Sequence, residues 1–173
     1  GQVLVSLTNN KPKGDYLGEI LKIEEADNDN KTSLHFKSST FLAGGPETGF
    51  ACPDNMAFDP SGNLWFTSDI SGSSINKAPY EPYGNNGLFM VPTWGENKGK
   101  VLQIAAAPDD AEFTGPFFSP NGDTLFLSVQ HPGERSSSID ALSSNWPDGG
   151  NNIPKPSVIC VRGQALLDLS LIH

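Results

Sequence analysis

Asp59-Pro60-Ser61-Gly62-Asn63-Leu64-Trp65-Phe66 is the stretch that decides the fold, because its pattern returns 60 residues later as Ser119-Pro120-Asn121-Gly122-Asp123-Thr124-Leu125-Phe126. Each copy is a turn, with φ preset by Pro and a positive φ supplied by Gly, that runs into an apolar strand. A third copy opens the sequence: Gly1-Gln2-Val3-Leu4-Val5 aligns with Gly62-Asn63-Leu64-Trp65-Phe66, without the upstream half. Each copy continues into a further strand, Gly18 to Ile23, Gly87 to Val91 and Ser157 to Val161. The middle copy reads as four strands that begin near Asp54, Leu64, Gly87 and Lys100. Four antiparallel strands in a repeating unit are the signature of a β-propeller blade.

The expected fold is therefore all-β, a β-propeller of about three four-stranded blades in an incomplete ring. One partial propeller domain spans 1–173, with blades over about 1–45, 50–108 and 112–163 and a tail over 164–173. The Leu pattern of the tail suits a short helix or a closing strand. A β-sandwich with accidental hairpin similarity is the competing architecture. Three incomplete repeats leave two apolar sheet faces open, which calls for the remainder of a propeller or another copy of the chain as a partner.

Composition narrows the partners. The 173 residues carry 11 Lys+Arg against 20 Asp+Glu, a net charge of −9, with the acids scattered rather than blocked. Nucleic acid and anionic membrane surfaces reward clustered Lys and Arg, so neither is expected as a partner; cations are the more natural guests. No run approaches the roughly 18 consecutive apolar residues of a membrane helix, and no start of the signal-peptide kind is seen. The two cysteines, Cys52 and Cys160, lack metal-type spacing. Gly44-Gly45-Pro46-Glu47-Thr48-Gly49 lacks the Lys-Ser/Thr ending of a phosphate-binding loop, and Glu47 reads as a solvated loop acid. No Gly-x-Ser-x-Gly elbow occurs. His35 reads as a structural strand residue between Leu34 and Phe36, and Trp65, Trp94 and Trp146 as core or inter-blade packing.

The run from Cys52 through Pro53-Asp54-Asn55 to Trp65 resembles the PhoX-type alkaline phosphatases. So do Thr8-Asn9-Asn10, Gly84-Asn85-Asn86-Gly87-Leu88-Phe89, Ala111 to Pro116, Phe118 to Glu134, and Trp146-Pro147-Asp148-Gly149-Gly150. The resemblance covers about Gly1 to Arg162. It implies a β-propeller phosphomonoesterase that acts on small phosphate esters with calcium and iron in its channel, and a periplasmic or secreted location. It further implies that this chain corresponds to the C-terminal part of such an enzyme, without the N-terminal half that supplies further metal ligands. Cys52 does not match the ligand cysteine of that half.

Blade geometry nominates the site. The innermost strand of each blade lines the channel, so polar residues at its mouth converge from several blades. Asp54 and Asn55 begin such a strand, and calcium requires six to eight oxygens of the kind they supply; alternatively Asp54 caps a turn and Asn55 satisfies backbone groups. In the next repeat the matching position is Thr114-Gly115, and Glu112 lies two residues before it. Asp69, after its strand, and Glu134 are further candidate metal ligands. His131 and Arg135 are the candidates to meet phosphate, as side chains that offset developing charge; otherwise His131-Pro132-Gly133 is a surface turn. Asn9 and Asn10 make the matching strand end of the first repeat polar. A calcium-dependent lactonase-like propeller and a non-enzymatic binding scaffold are the alternative functions.

Overall fold

The computed structural model describes residues 1–25, 34–169 and 171–172. Among the described residues, ten strands form three antiparallel sheets in chain order. The first holds β1 (Gln2–Leu7), β2 (Glu19–Glu25) and β3 (Phe36–Ala43) in the order β1-β2-β3. The second holds β4 (Pro53–Phe58), β5 (Leu64–Ser68), β6 (Gly87–Val91) and β7 (Leu102–Ala106), in the order β4-β5-β6-β7. The third holds β8 (Glu112–Phe118), β9 (Thr124–Gln130) and β10 (Ser157–Arg162) in the order β10-β9-β8. The expected four strands per sheet are thus met in the middle sheet alone, and the flanking sheets have three each among the described residues. Gln164–Leu169 forms a short helix, α1, rather than a closing strand.

The middle sheet is buried on both faces, and its alternation sorts side chains between two cores. Leu64, Phe66, Phe89 and Val91 pack toward the first sheet, against Ile20, Leu42 and Phe50. Trp65, Leu88 and Met90 pack the other way, against Phe113, Phe118, Leu125, Leu127 and Val129 of the third. Phe66 stacks on Phe89 at 5.1 Å, and Trp65 meets Phe118 edge-on at 5.3 Å. All five residues of β5 are buried, as are all five of β6, because period-two side chains find a partner sheet on either side.

The repeated turn is a repeated hydrogen-bond device. Gly62 sits at φ 87° and donates to the Asp59 carbonyl at 2.9 Å; Gly122, at φ 73°, donates to the Ser119 carbonyl at 2.8 Å. The side chain at the first position then receives the backbone N–H that opens the next strand. Asp59 Oδ1 accepts from Asn63 N at 2.9 Å, and Ser119 Oγ accepts from Thr124 N at 3.0 Å. Asp59 Oδ2 also accepts from Asn63 Nδ2 and from the buried Trp65 Nε1, each at 2.9 Å.

Two expectations are corrected. Trp94 is 51% exposed, with its Nε1 donating to the Ser61 carbonyl at 3.2 Å, because it follows β6 onto the sheet end rather than lying within a strand. His35 precedes β3 and is exposed. Trp65 is fully buried, Trp146 packs partly buried against the same core, and Glu47 is exposed. The outer face of the third sheet leaves Phe117 and Val158 exposed, and that of the first leaves Val3 and Phe36 exposed.

Asp59→Ala removes the acceptor of three buried N–H groups, the Asn63 backbone and side-chain amides and the Trp65 indole, and is expected to cost about 3 kcal/mol. Urea unfolding measures this; a loss within 0.5 kcal/mol, the range of ordinary surface changes, would refute the brace.

Candidate functional site

The ends of the second and third sheets at which β4 and β8 begin carry one acid-rich cluster. Asp54 is the second residue of β4, Asp69 follows β5, Glu112 is the first residue of β8, and His131 follows β9. Pro53 pairs with Ser68 and Glu112 with Gln130, so Asp69 and His131 each stand one step beyond the residue paired with the mouth of an inner strand. Side-by-side packing of the two sheets brings these four positions together.

Glu112 is at the centre. It is 8% exposed, and its Oε1 lies 3.4 Å from His131 Nε2. Its Oε2 is buried and receives no hydrogen bond among the described residues. Burial pushes its carboxyl up to about 7, and the Asp69 carboxylate beside it adds to the rise while His131 opposes it. A proton on Glu112 lets it bond to Asp69; two charged carboxylates in that position repel. Asp54 is also raised, first by burial and then by Asp69, which links all three acids electrostatically.

His131 lies between carboxylates, with Nδ1 3.6 Å from Glu134 Oε2 and 3.4 Å from the Asp110 carbonyl. Glu134 in turn lies against Gly72, where a Cβ would stand 2.5 Å from its Oε2. Arg135 Nε donates to Asp110 Oδ1, and the Arg135 backbone N–H donates to Oδ2 at 3.4 Å; the Asp110 side chain is wholly buried. The guanidinium expected to meet phosphate is thus anchored along one edge.

Asn55, the other candidate ligand at the mouth of β4, is engaged by its neighbours. Its Oδ1 accepts from Thr114 Oγ1 at 2.5 Å and from Gly115 N at 2.8 Å, and its Nδ2 donates to Asp54 Oδ2 at 2.6 Å. Both lone pairs of the amide oxygen are taken, so Asn55 ties β4 to β8 and orients Asp54. Asn9 Nδ2 meets Cys52 Sγ at 3.8 Å, and Cys52 Sγ meets the Tyr16 carbonyl at 3.6 Å; burial raises that thiol's pKa. Cys52, Asp110 and His131 are three of four described non-glycine residues with positive φ, at 54°, 66° and 37°. Such strain persists where surrounding structure imposes it, and it gathers at functional sites. Asp110 is the residue that motif reading passed over; its place two residues ahead of Glu112 was the available signal.

With this geometry in hand, the family is decided by the match of residues 1–133 to alkaline phosphatase PhoX. The chain belongs to the PhoX family. It is also similar to the solved structure of Pseudomonas fluorescens PhoX in complex with vanadate, a transition state analogue, with 26% identity and a TM-score of 0.77. That similarity covers 96% of this chain and 32% of the other, so the chain spans about a third of the length of the PhoX structure it matches. No curated protein matches it. The all-β reading and the propeller-like arrangement of sheets agree with the fold of that PhoX structure.

Among the described residues, no three His, Cys, Asp or Glu side chains converge as a ready-made metal cage. The cluster nonetheless has the donor chemistry of a hard-cation site: Glu112 Oε2 is buried without a hydrogen bond among the described residues, and the Asp69 carboxylate lies beside that carboxyl.

In the metal-free protein the folded state keeps the Glu112 proton that the unfolded chain releases near 4.5. Stability is therefore expected to fall as pH rises from about 4.5 to about 7, by about 3 kcal/mol from this group, and to level off above that. Glu112→Gln should flatten that slope. Urea unfolding at several pH values tests it, and equal slopes in the two proteins would contradict the assignment.

Proposed function

We propose that this chain supplies part of the active centre of a metal-dependent phosphomonoesterase, in which Asp54, Asp69 and Glu112 hold calcium at the acidic mouth. The observation that carries the reading is the buried, unpartnered Glu112 oxygen beside Asp69 in a chain of the PhoX family. These donors are all oxygen, the chemistry calcium takes, and hard cations bound by one or two carboxylates complete their shells with water and substrate phosphate. Calcium there would polarise the phosphoryl oxygens and offset the charge that develops on them. Iron finds one nearby nitrogen donor, His131, and is otherwise carried by the family resemblance.

The chain's own groups have distinct tasks. Arg135, held by Asp110, presents the rest of its guanidinium from a side chain 40% exposed, as a fixed positive charge for a phosphate oxygen. His131, flanked by Glu112 and Glu134, is the side chain placed for proton transfer to a departing alkoxide. Glu134 is placed to orient that imidazole, in addition to its candidacy as a ligand. Asn55 orients Asp54. Further propeller sheets would cover the exposed Phe117, Val158 and Val3, and a periplasmic or secreted location is part of the same reading.

Hydrolysis of an aryl phosphate by the protein should require calcium, stop on addition of a chelator and return when calcium is restored. Asp69→Asn should lower the rate by about 10- to 100-fold, the usual effect of disturbing a metal shell. Full activity in excess chelator, or an unimpaired Asp69→Asn enzyme, would overturn the proposal.

A further inference from the structure

Asn86 stands one residue before β6 and is buried, with 1% of its surface exposed. Its carboxamide oxygen accepts from Ile70 N at 2.6 Å and from Ser68 Oγ at 3.4 Å. Its nitrogen donates to the Ile70 carbonyl at 3.0 Å and to the Ala111 carbonyl at 3.3 Å. Both lone pairs and both N–H groups are thereby used, the full capacity of the group.

The residues it grips are informative. Ile70 follows Asp69 directly, and Ala111 directly precedes Glu112. One planar amide on the second sheet thus pins the backbone beside each member of the carboxylate pair, one member on its own sheet and the other on the entry to the third. The same length and both hydrogen-bonding functions are needed at once: Asp lacks the donors, Gln is longer by a methylene, and Ser carries a single hydroxyl. Neighbouring Asn85 reaches elsewhere, to the Ala107 carbonyl at 3.2 Å and Asp109 Oδ1 at 3.0 Å.

We propose that Asn86 is a positioning residue that sets the separation of the Asp69 and Glu112 carboxylates for the cation they bind. This rests on the calcium reading above. Outer partners that orient metal ligands commonly govern affinity as strongly as the ligands themselves.

Isothermal titration of the protein with calcium chloride tests it, using wild type, Asn86→Asp, Asn86→Ala and Asn85→Ala, each checked for folding by circular dichroism. Asn86→Ala should bind calcium at least about tenfold more weakly. Asn86→Asp keeps the shape and adds a negative charge, so an electrostatic role predicts tighter binding and a purely structural one predicts no change in the folded protein. Weaker binding by Asn86→Asp is the expected result. Asn85→Ala should keep wild-type affinity. Wild-type affinity or tighter in Asn86→Asp, or equal weakening in Asn85→Ala, would overturn the positioning role and leave the calcium reading standing. No saturable binding by wild type would overturn the calcium reading and this inference with it.

Discussion

The middle sheet has no solvent face, and the rest of the structure depends on that. Leu64, Phe66, Phe89 and Val91 serve one core, and Trp65, Leu88 and Met90 the other. Because side chains alternate with period two, a slip of one residue in β5 would exchange the two sets. The Asp59 carboxylate resists such a slip by gripping Asn63 and the Trp65 indole where β5 begins. The same register sets the other end of β5, where Asp69 emerges. A position with no apolar role is thereby fixed by apolar packing.

Packing the second sheet on the third brings their acidic mouths together, and the two effects oppose each other. Trp65 against Phe118, with Leu125, Leu127 and Val129 behind it, favours close approach. Asp54, Asp69 and Glu112 are pushed toward one another by that approach, and Glu112 responds by holding its proton to about 7. Left-handed backbone at Cys52, Asp110 and His131 adds strain at the same sheet ends. Stability lost at a mouth and recovered in the core is the arrangement expected of a functional site.

Local pattern made the strands and turns legible, down to the four strands of the middle sheet. It also drew Asp54, Asp69, Glu112, His131, Glu134 and Arg135 from what proves to be one end of two sheets. Side-chain partners were less accessible, because lateral packing of sheets decides them and no spacing records it. Asn55 has the right chemistry for a ligand, yet its oxygen is engaged by Thr114 and Gly115, 59 and 60 residues away. Asp110 and Asn86 lie outside the strands in segments that read as turns. Trp94 carries the composition of a core residue, and only its place beyond the end of β6 puts it outside. Irregularities also blur motif equivalence: pairing shifts between Pro53 and Met56 in one sheet and between Thr114 and Phe117 in the next.

The carboxylates meet although the repeats are not aligned on them. Within their own sheets Pro53 pairs with Ser68 and Glu112 with Gln130, and Asp54 stands one residue past Pro53. The position that lies further out carries the longer side chain, and the one further along the strand carries the shorter. Asp69 directly follows β5 and His131 directly follows β9, so the ends of the two neighbouring sheets carry an acid and an imidazole. Glu112 feels both, raised by Asp69 and lowered by His131. A third acid in place of His131 would remove the one neighbour that favours the charged form of Glu112, and the carboxylate would become still harder to ionise. His131 is therefore what helps to keep the central acid within reach of ionisation near neutral pH.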